Sequence, residues 1–451
     1  MKFNFENFGF IDHGTLELGD LTIISGPNNV GKTYISYAMH GWGLEAYQFD
    51  AFDIPDALLE KLYNDGVITI DLSTYAENLP QYLESISQSF NNKIASFFSV
   101  HERFFDKTKV AVLPEGLYCD FKEEINNTIH VGTNNEIVYR KPQNSKELSI
   151  AYISKNNENS KDSIPKFMLL SFIKQIIKVC LITPLFKPTF PITSERTGVT
   201  LFQKQLDHSL SLGSSSSDFN APLNNTRASL FNYVEPIIYN LNLTRSFETI
   251  SKQKSFISSE PKYKGLLDAL SDLMKGTCKV INNHLVYISR VDPTREDVHI
   301  PIHMASSSIK SLALIELYIR SISRKGDVLL IDEPELNLHL NNQAKMAGII
   351  ARLVNAGVKV LITTHSDTIL REINNRIMLS LDVNDKDRIM HDANISHDEI
   401  LLASSVRAYY MNSNHILQQA QINKYGIDFT EMDEIIQNTN AVSDEIFYNI
   451  R

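Results

Sequence analysis

The chain has 451 residues, which is enough for about three domains, or for one large domain with a long insertion. Hydrophobic residues make up 43% of it and charged residues 21%, which excludes an intrinsically disordered chain and indicates a folded globular protein. The formal net charge of -10 argues against an overall basic surface of the kind that sequence-independent DNA binding uses, although it leaves room for a local basic patch.

Signals for export and for membrane insertion are weak. The first ten residues, MKFNFENFGF, lack the basic start and apolar core of a signal peptide. The most apolar run, residues 167–186, is interrupted by Lys174, Gln175 and Lys178, so it predicts a buried or amphipathic helix rather than a membrane span. The three cysteines are widely separated and form no C-x-x-C pair, which predicts neither a disulfide framework nor a zinc site. We expect a cytoplasmic protein.

The first chemical motif is ISGPNNVGKT at residues 24–33, which fits the phosphate-loop pattern G-x-x-x-x-G-K-[ST]. An apolar run at 21–24 predicts a strand before it, and the spacing of apolar residues after Lys32 predicts a helix behind it. A plain glycine turn would not need a Lys-Thr pair on the first helical turn, where backbone N–H groups already favour an anion. The predicted nucleotide-binding residues are Gly26, Asn28, Asn29, Val30, Gly31, Lys32 and Thr33.

Residues 46–285 form a long second block in which helical patterns alternate with short strand-like pieces. The segments at 56–65 and 79–98 have helical spacing, whereas GVITIDL at 66–72 and NEIVYRK at 135–141 have the character of strands. The block shows no internal repeat and no sustained heptad pattern. We expect a mainly helical insertion.

The third block, from about residue 286 to 380, again contains several residues with predicted chemical roles. A buried strand is predicted at 328–331, directly before Asp332 and Glu333, and a second at 358–363, shortly before His365. A helical pattern separates the two strands, so they are expected to be parallel, with their polar side chains beyond the carboxyl ends.

These residues predict a magnesium nucleotide site. Lys32 would neutralise the β and γ phosphates, Thr33 and Asp332 would hold Mg²⁺, Glu333 would polarise the attacking water, and His365 would contact the γ phosphate. The alternative for the two acids is a helix cap, and Thr-His-Ser is also a helix-start signal. Lys32 and Asp332 are 300 residues apart (332 − 32 = 300), which indicates a nucleotide-binding head split by an insertion.

Four segments together resemble a known family: residues 5–33, SSSIKSLALIELYIR, VLLIDEPELNLHL and LITTHSD. They resemble the ABC-type ATPase heads of the SMC, RecF and OLD group, and most of all the AAA family ATPases of bacterial anti-phage defence systems, such as AriA of PARIS and PtuA of Septu. The resemblance implies an α/β fold, an ABC-type P-loop ATPase head with a mixed sheet flanked by helices and a large, mainly helical insertion between Walker A and the signature.

The domain limits expected on this basis are 1–45 for the Walker A part of the head, 46–285 for the insertion with a return segment at 185–206, 286–380 for the signature, Walker B and H-loop part, and 381–451 for a C-terminal helical extension.

The resemblance also implies that two heads sandwich ATP, so that the signature segment of one completes the site of the other. That segment is ASSSIKSL, residues 305–312, with candidates Ser306, Ser307, Ser308 and Lys310, and it lacks the usual glycine pair. The segment PITSERTGVTLFQKQL at 191–206 suggests Arg196 as a further site residue, with a surface ion pair to Glu195 as the alternative. Gln203 and Gln205 are candidates for the Q-loop glutamine.

The expected function is slow, regulatory ATP hydrolysis with ATP and Mg²⁺ as ligands. The resemblance implies a homodimer or higher homo-oligomer that controls a separate effector, an HNH or TOPRIM nuclease, after a phage protein trigger. Only 86 residues follow His365 (451 − 365 = 86), too few for an appended TOPRIM nuclease. The alternatives are a RecF/SMC-like DNA repair or maintenance ATPase and a transporter's nucleotide-binding subunit.

Overall fold

The computed structural model describes residues 1–50, 52–132, 134–154, 164–201, 233–282, 284–290, 297–423, 425–428, 441 and 445. The chain divides into two compact units. The first comprises residues 1–4, 41–93 and 110–188, and the second comprises 5–40, 94–109 and 189–451.

The described strands are β1 (Lys2–Phe8), β2 (Ile11–Glu17), β3 (Leu21–Ser25), β4 (Val67–Asp71), β5 (Lys109–Leu113), β6 (Ile125–Val131), β7 (Asn135–Lys141), β8 (Glu147–Ser154), β9 (Thr189–Ile192), β10 (Gly276–Ile281), β11 (His284–Ser289), β12 (Val298–Pro301), β13 (Val328–Asp332), β14 (Lys359–Thr364), β15 (Val406–Met411), β16 (Ile416–Gln419), β17 (Ile422–Asn423) and β18 (Gly426–Ile427).

The described α-helices are α1 (Lys32–Gln48), α2 (Asp56–Asp65), α3 (Ser73–Glu77), α4 (Leu79–Phe97), α5 (Lys166–Leu181), α6 (Glu235–Arg245), α7 (Phe247–Ser251), α8 (Phe256–Ser259), α9 (Lys264–Met274), α10 (Ser307–Leu317), α11 (Leu340–Asn355), α12 (Asp367–Met378) and α13 (Lys386–Asp392). A π-helical turn at Tyr318–Ile322 continues α10.

The second unit is built on a mixed sheet in which neighbouring strands follow the order β1-β2-β16-β15-β3-β14-β13-β9. The pairs β15–β3, β3–β14, β14–β13 and β13–β9 are parallel, whereas β15 and β16 are antiparallel. Every residue of β3 and β13 is buried, as expected for parallel strands covered on both faces. Helices α10, α11 and α12 contribute to the same core. This confirms the predicted fold class, a mixed sheet flanked by helices with the phosphate loop between β3 and α1.

The first unit contains an antiparallel sheet with the strand order β4-β8-β7-β6. Its core joins alternate residues of these strands, such as Ile68 and Ile150, to the apolar faces of α2 and α5. The insertion therefore contains a sheet as well as the predicted helices. Helix α5 coincides with most of the apolar run noted in the sequence and is amphipathic, with Ile173 buried and Phe167 72% exposed. Among the described residues, no helix is long and apolar enough to cross a membrane.

The end of the chain differs from the predicted helical extension after residue 380. Helix α13 lies there, but β15 runs parallel to β3 in the central sheet, with Val406 opposite Leu21 and Tyr410 opposite Ser25. The prediction is wrong for this segment because VRAYYM is rich in the β-branched and aromatic residues that suit a strand, and Val406, Tyr409 and Met411 are buried. Residues 94–109 and the described residues of 189–285, assigned by the sequence to the insertion, belong to the second unit.

Candidate functional site

The phosphate loop lies between β3 and α1 and depends on two glycines in left-handed conformations. Gly26 has a φ of +144°, and a Cβ there would lie 2.4 Å from the carbonyl oxygen of Met411. Gly31 has a φ of +100°, and a Cβ there would lie 3.2 Å from Ile11. Only glycine fits such backbone without strain. Between them, Asn28 and Asn29 are exposed and Val30 is buried.

Lys32 is buried at the first position of α1 and remains close to the loop. Its Nζ donates hydrogen bonds to the carbonyl oxygens of Gly26 at 3.0 Å and of Pro27 at 2.6 Å. Burial lowers the pKa of Lys32, and the charges of Glu333 and Asp332 partly offset this. A desolvated ammonium beside an N-terminal helical turn is well suited to neutralise a phosphate.

The two predicted metal-binding residues meet, although they are far apart in the sequence. The Thr33 hydroxyl donates to the Asp332 carboxylate, 3.0 Å from Oδ1 and 3.1 Å from Oδ2, and the Thr363 hydroxyl donates to the same carboxylate. Asp332 is only 2% exposed. One carboxylate and one hydroxyl form a hard oxygen donor set of the kind that Mg²⁺ takes alongside substrate phosphates and water.

This arrangement fits a nucleotide-bound Mg²⁺ better than a metal held by protein alone. Among the described residues, no group of three or more His, Cys, Asp or Glu side chains is arranged to hold a metal ion. A Mg²⁺ ion held by Thr33 and Asp332 would supply charge stabilisation to the phosphoryl oxygens during transfer. The side chains themselves would fix where the ion and the phosphates lie.

Glu333 follows directly and has a special backbone conformation. Its φ is +50°, and its amide donates to the carbonyl oxygen of Thr363 at 3.0 Å. Burial raises the pKa of Glu333, and the adjacent Asp332 raises it further, whereas His365 and Lys32 lower it. A partly buried carboxylate with a raised pKa is a fitting group to orient a water and accept its proton.

His365 lies close to Glu333 and to a second carboxylate, Glu335, that the sequence analysis missed. Its Nδ1 lies 3.7 Å from Glu333 Oε1 and 3.3 Å from Glu335 Oε1. The same Glu335 oxygen accepts hydrogen bonds from the Thr364 hydroxyl at 2.8 Å and from the His365 amide at 2.9 Å. Glu335 Oε2 is buried without a hydrogen-bond partner among the described residues. Glu335 therefore holds the His365 segment against the end of β13.

Replacing Glu335 with alanine should destabilise the head and misplace His365. The change leaves the Thr364 hydroxyl and the His365 amide without their acceptor, which costs about 1–3 kcal/mol for a buried donor. Glu335→Gln keeps an acceptor oxygen and should cost less. Urea unfolding followed by an ATPase assay checks both variants. Equal stability and activity in Glu335→Ala and the unmodified protein would contradict this role.

The structure places Arg196 in the interior, so a surface ion pair is not its role. It is 1% exposed and donates to the main-chain carbonyl oxygens of Asp332 and Glu333, each at 2.6 Å. Its neighbour Glu195 instead accepts from the Tyr37 hydroxyl at 3.2 Å. Gln203 and Gln205 lie outside the described residues.

The signature candidates lie at the start of α10. Ser306 is the N-cap, and its hydroxyl accepts from the Ile309 amide at 3.3 Å and lies 2.8 Å from the Ser308 hydroxyl. Ser307 is exposed and Lys310 is buried. Within the described chain, the hydrogen bonds of Ser306 and Ser308 stay in α10 and do not join the phosphate loop. Their predicted role toward a partner's nucleotide remains a prediction.

Sequence reasoning missed Glu335 and Thr363, and a signal for each was present. Glu335 is the second acid of the run Glu-Pro-Glu directly after a buried strand. Thr363 stands at the end of β14, opposite Asp332 in the parallel register. Because the carboxyl ends of parallel strands meet at one edge, polar residues at both ends were predictable neighbours.

Solved structures of low identity resemble the chain. The Smc head domain with an extended coiled coil bound to the C-terminal domain of ScpA, from Pyrococcus furiosus, is 13% identical with a TM-score of 0.35, covering 97% of this chain and 98% of that chain. The SMC head domain from Thermotoga maritima is 10% identical with a TM-score of 0.31, covering 94% and 98%.

No curated protein matches the chain. The family model described as AAA ATPase domain matches residues 1–370. That span holds every described residue of the site, from the phosphate loop to His365. The chain belongs to the AAA ATPase domain family.

Proposed function

We propose that this protein binds and hydrolyses Mg²⁺-ATP between two copies of itself, and that the ATP-driven assembly controls a separate effector in anti-phage defence. The observation that carries the nucleotide part is the contact between Thr33 and Asp332, 3.0 Å apart although 299 residues separate them in the sequence. This contact brings the metal-binding groups of both halves of the head to one point.

The roles of the site residues follow from their surroundings. Lys32 neutralises the phosphate, Thr33 and Asp332 hold the ion, and Glu333 orients the water. His365, held by Glu335, contacts the γ phosphate. Groups that are already fixed by hydrogen bonds stabilise the transition state of phosphoryl transfer without reorganising, which supports ATP hydrolysis at this site.

The proposed assembly uses the exposed first turn of α10 as the surface that contacts ATP bound to the second copy. Ser306 and Ser307 are exposed, and a helix N-terminus with hydroxyl groups suits a phosphate anion. In the proposed closed dimer, ATP touches one copy through the phosphate loop and the other through this turn. ATP then favours the closed form because it gains contacts there that the open form lacks.

The defence role rests on the sequence resemblance and is tested in cells. Phage plating is compared on cells that carry the intact locus, with its neighbouring genes, and on cells that carry the same locus with Lys32→Ala. We expect fewer plaques with the intact locus and full plating with the variant. A nuclease that copurifies with the tagged protein would identify the effector.

Equal plating on both strains with a panel of unrelated phages would contradict the defence role. The purified protein should also show the same ATPase rate with and without duplex DNA. A large, salt-sensitive stimulation by DNA would instead favour a DNA repair or maintenance ATPase.

A further inference from the structure

The guanidinium of Arg196 is buried in the protein interior, where it is held by hydrogen bonds. Its Nε donates to the carbonyl oxygen of Ser311 at 3.0 Å, and its Nη1 donates to that of Thr193 at 3.0 Å. The remaining bonds, to the carbonyl oxygens of Asp332 and Glu333, are each 2.6 Å long. Every acceptor is a main-chain oxygen. A buried charge is costly unless its donors are paired, so this set of bonds fixes the main chain around it.

These acceptors lie on three separate segments of the second unit. Thr193 follows β9, Ser311 lies on α10, and Asp332 and Glu333 form the exit of β13. The rigid planar fork of arginine spans them, whereas a lysine ammonium is a single point with a flexible stem. Arg196 therefore ties the helix of the signature serines to the strand that bears the catalytic acids.

The bond to Glu333 falls on strained backbone. A left-handed conformation is unfavourable in a residue other than glycine, because the Cβ crowds the following carbonyl oxygen. Glu333 has a φ of +50° and is held on both sides, by its amide to Thr363 and by its carbonyl oxygen to Arg196. Without the hydrogen bond from Arg196, the left-handed conformation of Glu333, which sets the direction of its side chain, would be less stable.

A second contact joins α10 to the residues that follow β13. The Ser311 hydroxyl lies 3.2 Å from the carbonyl oxygen of Leu336 and 2.8 Å from that of Ser308, one of the signature candidates. Ser311 is 1% exposed. Helix α10 and the segment from Asp332 to Leu336 are thus connected twice, through Arg196 and through Ser311.

We infer that Arg196 is a positioning residue that holds Glu333 for water activation and links that placement to the helix whose first turn meets the partner's nucleotide. The inference rests on the proposed function. Binding of ATP to the phosphate loop does not need this link, but hydrolysis in the closed dimer does. Loss of Arg196 should therefore separate ATP binding and assembly from turnover.

The test compares Arg196→Lys and Arg196→Met with the unmodified protein. Its matched control is Arg376→Lys, which removes another buried guanidinium, 3% exposed and paired with Glu399 and Glu372. Four quantities are measured: the Kd for ATP, kcat, the sedimentation coefficient with ATP, and the Tm. Because small misplacements of reacting groups cost roughly 100-fold in rate, we expect kcat to fall about that much in both Arg196 variants.

Retained ATP binding and ATP-dependent assembly in the Arg196 variants would support the inference, because a purely structural defect would lose both. Arg376→Lys should keep kcat even if its Tm falls. The inference is overturned if Arg196→Lys keeps the kcat of the unmodified protein, or if it loses ATP binding together with kcat. If the unmodified protein does not hydrolyse ATP at all, the proposed function fails instead.

Ser311→Ala covers the case in which neither Arg196 variant folds. It removes the hydroxyl contact with Leu336 and leaves the buried guanidinium intact. We expect a several-fold lower kcat with an unchanged Kd for ATP, since the variant loses one hydrogen bond between α10 and Leu336. An unchanged kcat in Ser311→Ala would contradict the link between α10 and the exit of β13.

Discussion

Replacing Lys32 with alanine is expected to abolish nucleotide binding at working concentrations. The buried ammonium lies within hydrogen-bonding distance of two carbonyl oxygens of the phosphate loop, and two charge-assisted hydrogen bonds to phosphate are worth about 1.5–3 kcal/mol each. Their loss weakens the affinity for ATP by roughly two to four orders of magnitude. Equilibrium dialysis with labelled ATP, with and without Mg²⁺, measures this effect.

A surface ion pair supplies the control for this change. Lys252 and Glu248 lie one helical turn apart, with side chains 71% and 46% exposed and an Nζ to Oε1 distance of 2.8 Å. Lys252→Ala removes a lysine of this exposed kind and should leave the Kd for ATP unchanged. If Lys32→Ala is folded and keeps full ATPase activity, the nucleotide site lies elsewhere.

Changing Glu333 to glutamine is expected to keep ATP binding and to stall hydrolysis. The amide has nearly the same shape but cannot accept a proton from water, and general-base catalysis contributes about 10²–10⁴-fold in rate. Single-turnover assays should therefore show bound ATP that is converted to ADP at least roughly 100-fold more slowly.

Glu248→Gln is the matched control for this second change, since it makes the same substitution on the exposed ion pair. It should hydrolyse ATP at the unmodified rate. Undiminished turnover in Glu333→Gln would show that another group orients the water.

The sequence was sufficient for the parts of the head that local pattern specifies. The apolar run before Gly26 is β3, and the helical spacing after Lys32 is α1. The strands before Asp332 and His365 are β13 and β14, and they are parallel as expected. Each of these features depends on residues that are adjacent in the chain, or on the rule that parallel strands end at one edge.

The features that were not predicted depend on contacts between distant segments. Strand β15 joins β3 across more than 380 residues, which no local pattern in VRAYYM reveals. The sequence names Arg196 as a candidate, but its burial could not be predicted, because its hydrogen-bond acceptors lie on three separate segments. The role of Glu335 depends on the turn at Glu333, which brings the Glu335 carboxylate within hydrogen-bonding distance of the Thr364 hydroxyl and the His365 amide.

The central claim is that two copies of the chain together form each ATP site. Sedimentation velocity of the Glu333→Gln protein, with Mg²⁺-ATP and with Mg²⁺-ADP, tests it most directly. The account predicts a larger, dimeric species with ATP that is absent with ADP, because only the triphosphate reaches the serines of the second copy. An unchanged sedimentation coefficient at full occupancy by ATP would contradict it, since the site would then be complete within one chain.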